Sequence, residues 1–264
     1  ARPVLSSKLS FKIHLETNGK FLMENAIYIG LSRQTALRRE LSLVANNIAN
    51  ANTTSFKREL SVYGVAPTAA GPSAKLDFVI DHGASISFEP GSFRVTENDF
   101  DVAISGPGFF AVDDGTGIKY TRNGAFSLNA ENQLVTRESD AVLDENGGPI
   151  IIPQDGRKVQ ISLDGTISVG NEIIAKVQLV EFINPQLLTK QGSSKYETDQ
   201  ETSAAENSSI HQGSLESSNV TAIKELVRLV DIQRSYESIG KFLDKEAERQ
   251  KNVVRRLGRE AQGA

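Results

Sequence analysis

From Ile27 the apolar positions fall at Ile27, Leu31, Leu37, Leu41, Val44 and Ile48, with Gln34 in step. Steps of three or four residues predict one amphipathic helix of about six turns. It ends near Asn50–Thr54, where Asn and Thr favour caps and turns over helix interior. Residues 61–83 mix Gly, Pro, Ala and Ser without a period and read as a connector. From 84 to 188 the pattern changes to short apolar runs cut by turn residues, among them DVAIS, FFAV, IKYT and AFSL. In VQISLDGTISV, Val159, Ile161 and Leu163 alternate into Asp164-Gly165 and out through Ile167 and Val169, which is a hairpin signature. Strands at this spacing predict an antiparallel sandwich or irregular barrel rather than a parallel sheet.

Residues 189–218 are polar and serine-rich and read as a linker that cannot bury a core of its own. From Asn219 the helical period returns and persists to about Leu257, roughly 57 Å at the rise of an α-helix. One stripe runs Leu226, Leu229, Ile232, Tyr236, Ile239, Leu243, Ala247, Val254 and Leu257, with Gln250 in step. A second, shorter face carries Val220, Ile223, Val227 and Val230. A helix this long with a/d-like spacing suggests a coiled coil, and two apolar faces call for more than one partner helix, including helices of other copies. The expected fold class is therefore α+β. Long terminal helices, within 23–60 and 219–264, pair as a coiled-coil domain, and a mainly antiparallel β domain is inserted between them.

The single methionine, Met23, directly precedes the first periodic segment. Residues 1–22 carry Arg2, Lys8, Lys12 and Lys20 against Glu16 but lack the continuous apolar stretch of a cleaved signal, so they read as an upstream extension.

Composition narrows the chemistry. A hydrophobic content of 39% over 264 residues is enough for a real core. The formal net charge of -4, with Lys and Arg dispersed, supplies no phosphate-neutralising patch, so nucleic acid is not an expected partner. No run of eighteen apolar residues reads as a membrane-spanning helix. With no Cys, disulfides, thiolate zinc sites and cysteine nucleophiles are excluded. His14, His82 and His211 are too scattered to suggest a metal site.

Gly106-Pro107-Gly108-Phe109-Phe110-Ala111 matches G-x-G-x-x-A, but Phe109–Val112 reads as strand where a dinucleotide site needs a helix to open. The match is better explained as a tight turn that packs two aromatics. Asp113-Asp114-Gly115-Thr116-Gly117 lacks the glutamate that a calcium loop would place at 124, which is Gly124. Nothing singles out Glu97, Asp99 or Asp101 as a catalytic pair. No enzyme activity, cofactor, metal or small-molecule substrate is expected. Arg38-Arg39 and Arg255-Arg256 sit on helices, where they suit solvated faces or ion pairs with a neighbouring chain.

Three blocks go further. MENAIYIGLSRQTALRRELSLVANNIANANTTSFKRE (Met23–Glu59) resembles the N-terminus of flagellar rod, hook and hook-associated proteins, and within them is most similar to proximal-rod subunits. DVAISGPGFFAVDDGTGIKYTRNGAFSLNAENQLVT (Asp101–Thr136) is similar to the family's central signature, and LESSNVTAIKELVRLVDIQRSYESIGKFL (Leu215–Leu243) to its C-terminal one. The resemblance implies a structural subunit of the basal-body rod, with its terminal helices inward and its β domain outward. It also implies export through the flagellar type III apparatus without a cleaved signal, and partnership with further copies and neighbouring rod proteins. Ser55 departs from the family's usual Gly in the TTGFK turn, where a left-handed backbone would cost Ser roughly 1 kcal/mol. The alternatives are another axial paralogue, such as distal rod or hook, or a secreted β-domain binding protein on a coiled-coil stalk. The second would need aromatic platforms, whereas aromatics are 6% and Trp is absent.

On this reading the helix end that is rich in asparagine is an assembly interface. Leu41, Val44, Asn46, Asn47, Ile48 and Asn50 belong to it, followed by Asn52, Thr53, Thr54, Phe56 and Lys57 in the turn. From the C-terminal helix come Asn219, Val220, Leu226, Leu229, Ile232, Tyr236, Ile239 and Leu243. Uncharged amides both donate and accept, so they satisfy a crowded contact without the desolvation cost of charge. Replacing Asn47 or Asn50 by Leu is then expected to spare the β domain and impair assembly.

Overall fold

The first periodic segment lies in helix α1 (Ser6–Ala49) and the last in helix α2 (Ala222–Gln262). The structure, a computed structural model, describes the backbone of residues 6–69, 75–192 and 194–262 and the side chains of 26–64, 79–192, 194–256 and 258–259. The side chains of the expected extension at 1–22, and of Leu257 in the expected stripe, lie outside the described residues. The chain divides into two compact units. One comprises Ala1–Ala45, Ser61–Ala84 and Ile223–Ala264, and the other Asn46–Leu60 and Ser85–Ala222.

In the first unit the helices run antiparallel along one seam. A Cβ on Gly30 would lie 2.7 Å from Leu243 Cδ2, so α1 meets α2 closely here, and a side chain at residue 30 would make Leu243 give way. Farther along, the Glu40 carboxylate accepts from both Arg228 Nη2 (2.8 Å) and Nε (3.2 Å). Leu37 and Val44 are buried on α1 and Ile232 on α2. Strands β1 (Glu59–Ala69) and β2 (Lys75–Ile86) form a two-stranded ribbon across residues 61–83, expected to be a connector. The ribbon is tied to α1 by the Tyr63 hydroxyl, which donates to Ala36 O (2.9 Å), and by Arg39 paired with Asp81 (2.9 Å).

This corrects the expected fold class. The two helices pair, but the structure holds no long coiled coil among the described residues. A coiled coil needs apolar knobs at successive a and d positions. Here acidic Glu225 and Glu246 take buried positions on α2, while Leu226 and Val254 of the expected stripe are 49% and 69% exposed. Of the second face Val220 is buried, but Ile223, Val227 and Val230 are exposed.

The second unit carries the remaining strands. They are β3 (Phe93–Val95), β4 (Val102–Ser105), β5 (Phe109–Asp113), β6 (Ile118–Thr121), β7 (Ser127–Leu128), β8 (Leu134–Val135), β9 (Ala141–Val142) and β10 (Val159–Ile161). β11 (Thr166–Val169), β12 (Glu172–Lys176), β13 (Leu179–Glu181), β14 (Thr189–Gln191), β15 (Lys195–Glu197), β16 (Ser203–Ala204), β17 (Ser209–Gln212) and β18 (Ser214–Glu216) complete the series. The largest sheet has the order β14-β15-β6-β5-β9-β8-β7, with β13 bridging β5 and β16 beside that path. β10-β11-β12 form a second sheet, and β4–β17 and β3–β18 form ribbons. The expected hairpin pairs Val159 with Val169 and Ile161 with Ile167, and all four side chains are buried. Leu163 instead sits in the turn closed by Gly165 N–H on Ser162 O (3.0 Å) and is exposed. The core gathers Val102, Ile104, Phe110, Val112, Phe126, Leu134 and Ile167.

The polar segment 189–218 supplies β14 through β18 instead of a linker. It does so with few apolar residues because each is well placed: Tyr196, Ile210 and Leu215 are all buried, and the polar residues between them take the ladders and edges.

Tyr196 packs edge-on against Phe88 and Phe109, with ring centroids at 5.5 and 5.8 Å. Its hydroxyl is buried with no hydrogen-bond partner among the described residues, and burial drives the phenol pKa far above its ordinary value. A buried unpaired hydroxyl costs about 1–3 kcal/mol. Tyr196→Phe is therefore expected to stabilise the chain by about 1 kcal/mol, read as a higher urea midpoint at unchanged m-value. A loss of stability would mean that the hydroxyl has a partner in solution.

Candidate functional site

A buried polar cluster lies where the turn after α1 meets the segment leading into α2. The last turn of α1 closes with the Asn50 N–H on Asn46 O (3.1 Å), while the Asn50 amide donates to the same carbonyl (2.9 Å) and accepts from the Thr53 hydroxyl (3.1 Å). The chain then bends at Ser55, whose φ of 55° lies in the left-handed region. There its N–H reaches Glu216 O (2.8 Å) and its hydroxyl donates to Arg122 O (2.8 Å). The hydroxyl thus makes a buried bond that glycine could not, which offsets the strain expected for Ser in this turn.

The bend points Lys57 inward. Its Nζ donates to Glu216 Oε1 (2.7 Å) and Glu89 O (2.9 Å), and Arg122 Nε donates to Glu216 Oε2 (3.0 Å). The side chains of Lys57 and Glu216 are 0% exposed and that of Arg122 is 2%. Two cations thus share one carboxylate, and Glu216 Oε1 also takes the Gly91 N–H (2.9 Å). The rest of the Arg122 fork is absorbed by the carbonyls of Ile104 (3.2 Å), Gly106 (2.9 Å) and Gly108 (2.8 Å). Burial pushes the Lys57 ammonium pKa below its ordinary value; Glu216 opposes this, and the neighbouring Arg122 charge adds to it.

The Gly106-Pro107-Gly108 turn presents the carbonyls of Gly106 and Gly108, while Ile104 O comes from β4. Gly106 has φ 115°, and a Cβ there would lie 2.4 Å from Asn207 O, so only glycine fits. The residues that follow are strand β5, with no helix N-terminus to meet a phosphate.

Asn219 and Asn47 fasten the margins of the cluster. Asn219 Oδ1 accepts from Arg58 N–H (2.8 Å), and its Nδ2 donates to Ser87 O (2.9 Å) and Glu89 O (3.0 Å). Asn47 is 1% exposed, and its amide meets both main-chain groups of Glu59, donating to O (2.8 Å) and accepting from N (3.0 Å). Lys190 on β14 lies 4.1 Å from the centre of the Phe56 ring and pairs with Glu59. Each of these donors and acceptors has a partner inside the chain, so the arrangement fastens distant segments together. Among the described residues, no three His, Asp or Glu are grouped to hold a metal ion.

Of the residues expected at an assembly interface, Asn46, Asn47, Ile48, Asn50, Asn52, Thr53, Thr54, Phe56, Lys57, Asn219 and Val220 fall in the second unit, and Asn47, Phe56, Lys57 and Val220 are buried there. Leu41, Val44, Leu226, Leu229, Ile232, Tyr236, Ile239 and Leu243 fall in the first. Sequence reasoning did not find Arg122, Glu216, Glu89 or Lys190. Lys57 and Glu216 are separated by 159 positions, and no local spacing links them. The one available signal was the oddity of Arg122 between apolar runs.

Comparisons with known proteins agree along the chain. "Flagella basal body rod protein" matches residues 27–57, "Flagellar hook protein FlgE/F/G D1 domain" 103–169, and "Flagellar basal body rod FlgEFG protein C-terminal" 211–255. The chain is 42% identical over 245 residues to flagellar basal-body rod protein FlgF of Caulobacter vibrioides, covering 90% of this chain and 99% of the relative. It is 29% identical to FlgF of Mesorhizobium japonicum over 239 residues (89% and 99%), and 31% identical to FlgG of Bacillus subtilis over 249 residues (84% and 94%).

The Ser55 geometry yields a direct test. Ser55→Ala keeps the left-handed strain and loses the hydroxyl bond, at a cost of about 1–2 kcal/mol. Ser55→Gly loses the bond but releases the strain, so it should be about 1 kcal/mol less damaging in urea unfolding. Equal losses in the two variants would contradict the offset.

Proposed function

Because the chain belongs to the flagellar basal-body rod protein family, and is a structural subunit of that rod, we propose that it takes the proximal, FlgF-type place among the rod proteins. It works in the flagellar basal body with other rod components, as the names of its relatives indicate. The observation that carries the finer assignment is the 42% identity to a FlgF across nearly the whole of both chains, against 31% to a FlgG. A distal-rod role is the second reading, favoured by the breadth of those FlgG matches.

We further infer that copies associate through their terminal helices. The support is the uncovered apolar face of α2, where Ile223 is 75% and Val227 59% exposed beside Leu226 and Val230. Contiguous apolar surface of this kind marks an interaction site more often than a free face. Export through the flagellar type III apparatus without a cleaved signal, and assembly in the periplasm, follow from the family resemblance. The Asn47 part of the expected interface carries a different weight now. Asn47→Leu would strip Glu59 of two hydrogen-bond partners, so loss of assembly in that variant would report on folding as well.

Deleting the gene in the source bacterium should abolish swimming and leave basal bodies without a complete rod. Re-expression of the chain should restore both, whereas Val227→Asp, at an exposed position, should fold normally by circular dichroism yet fail to restore motility. Normal swimming with complete rods in the deletion strain would sink the rod reading. Full rescue by Val227→Asp would sink the helix-face reading alone.

A further inference from the structure

The buried cluster joins two chain segments that lie far apart in sequence. We infer that it is a two-ended clasp: residues Asn46–Leu60 and Glu216–Ala222 form one cooperative unit that opens and closes together, separately from the strands around Phe110, Val112 and Ile167. Neither end is held by itself. Ser55 N–H depends on Glu216 O (2.8 Å) and Asn219 N–H on Phe56 O (3.3 Å), so each segment supplies acceptors for the other's amides. The side chains repeat the exchange, with Lys57 on Glu216 and Asn219 on Arg58 N–H. Both segments dock on the same short stretch, since Ser87 and Glu89 give carbonyls to Asn219, Glu89 gives one to Lys57, and Ser217 N–H binds Ser92 O (2.8 Å).

The clasp is joined chiefly by polar bonds, with Phe56 and Val220 as its buried apolar residues, whereas the β core around Phe110, Val112 and Ile167 is held by apolar burial and its own ladders. The two can therefore differ in stability. Glu216 is the residue common to both ends, because its main chain holds Ser55 while its carboxylate holds Lys57, Arg122 and Gly91. Losing the carboxylate charge leaves two buried cations without an anion, which destabilises strongly. The consequence is a conformational coupling of two distant segments: the turn after α1 is locked only when the segment before α2 has arrived.

Native-state hydrogen exchange on the full chain in stepwise urea tests this. The amides of Ser55, Arg58, Ser217 and Asn219 should merge into a single opening isotherm that lies below the one for Val112 and Ile167. Separate isotherms for the 46–60 and 216–222 amides would overturn the clasp, as would one isotherm shared with Val112 and Ile167. Glu216→Gln should speed exchange at both ends by the same factor, on the order of 100-fold, with the Val112 and Ile167 amides unchanged. If Glu216→Gln unfolds the β core as well, the ends are not a separate unit and the inference fails. Asn219→Ala gives a milder, independent reading. Faster exchange at Ser55 and Ser217 alike supports the coupling, and faster exchange at Ser217 alone refutes it.

Discussion

The second unit is organised around a carboxylate, Glu216, buried between Lys57 and Arg122. Taking three charged groups out of water costs several kcal/mol each, and mutual attraction restores this only when every remaining donor and acceptor is also matched. Here the matching is extensive. The Gly91 amide, the Glu89 carbonyl and the carbonyls of Ile104, Gly106 and Gly108 complete the set. The glycine turn at 106–108, the left-handed bend at Ser55 and the amide of Asn219 are intelligible as the local geometry that brings those groups within reach. Apolar burial, which is non-directional, could collapse the strands, but it could not select which residue of a polar stretch meets Lys57.

The chemistry of the unit suits a structural subunit. Its polar side chains near the cluster are turned inward and saturated, whereas the surface of α2 keeps Ile223, Leu226, Val227 and Val230 out in the open. The cluster spends its polar groups on its own framework, and the apolar surface left on α2 suits the proposed contacts with other subunits.

Local periodicity made some of this visible in advance. Leu37 and Val44 of the α1 stripe, the Val159–Val169 and Ile161–Ile167 pairs around Asp164-Gly165 and the aromatics after Gly108 each depend on neighbours a few residues away and are buried as the pattern puts them, whereas Leu31 and Leu163 are exposed. The coiled coil failed because periodicity counts apolar positions without knowing whether a partner covers them; Glu225 and Glu246 are buried while Leu226 is not. The stretch 189–218 looked like a linker because strands there need only one anchor apiece, and Tyr196, Ile210 and Leu215 are too sparse to register in a window. The partnership of Lys57, Arg122 and Glu216 was beyond any such reading, since it exists only once distant strands have paired. Ser55 was legible as a departure from the family's glycine, but its compensation through Arg122 O required the fold.

The most direct measurement of the central interaction is a double-mutant cycle in urea unfolding, with Lys57→Met, Glu216→Leu and the double variant. If the buried pair is coupled as the geometry indicates, the double variant should be about 2–3 kcal/mol more stable than the sum of the single losses allows, because removing both partners leaves one less orphaned charge. Additivity within about 0.5 kcal/mol would mean that the two residues do not act as partners and would contradict the clasp at its centre.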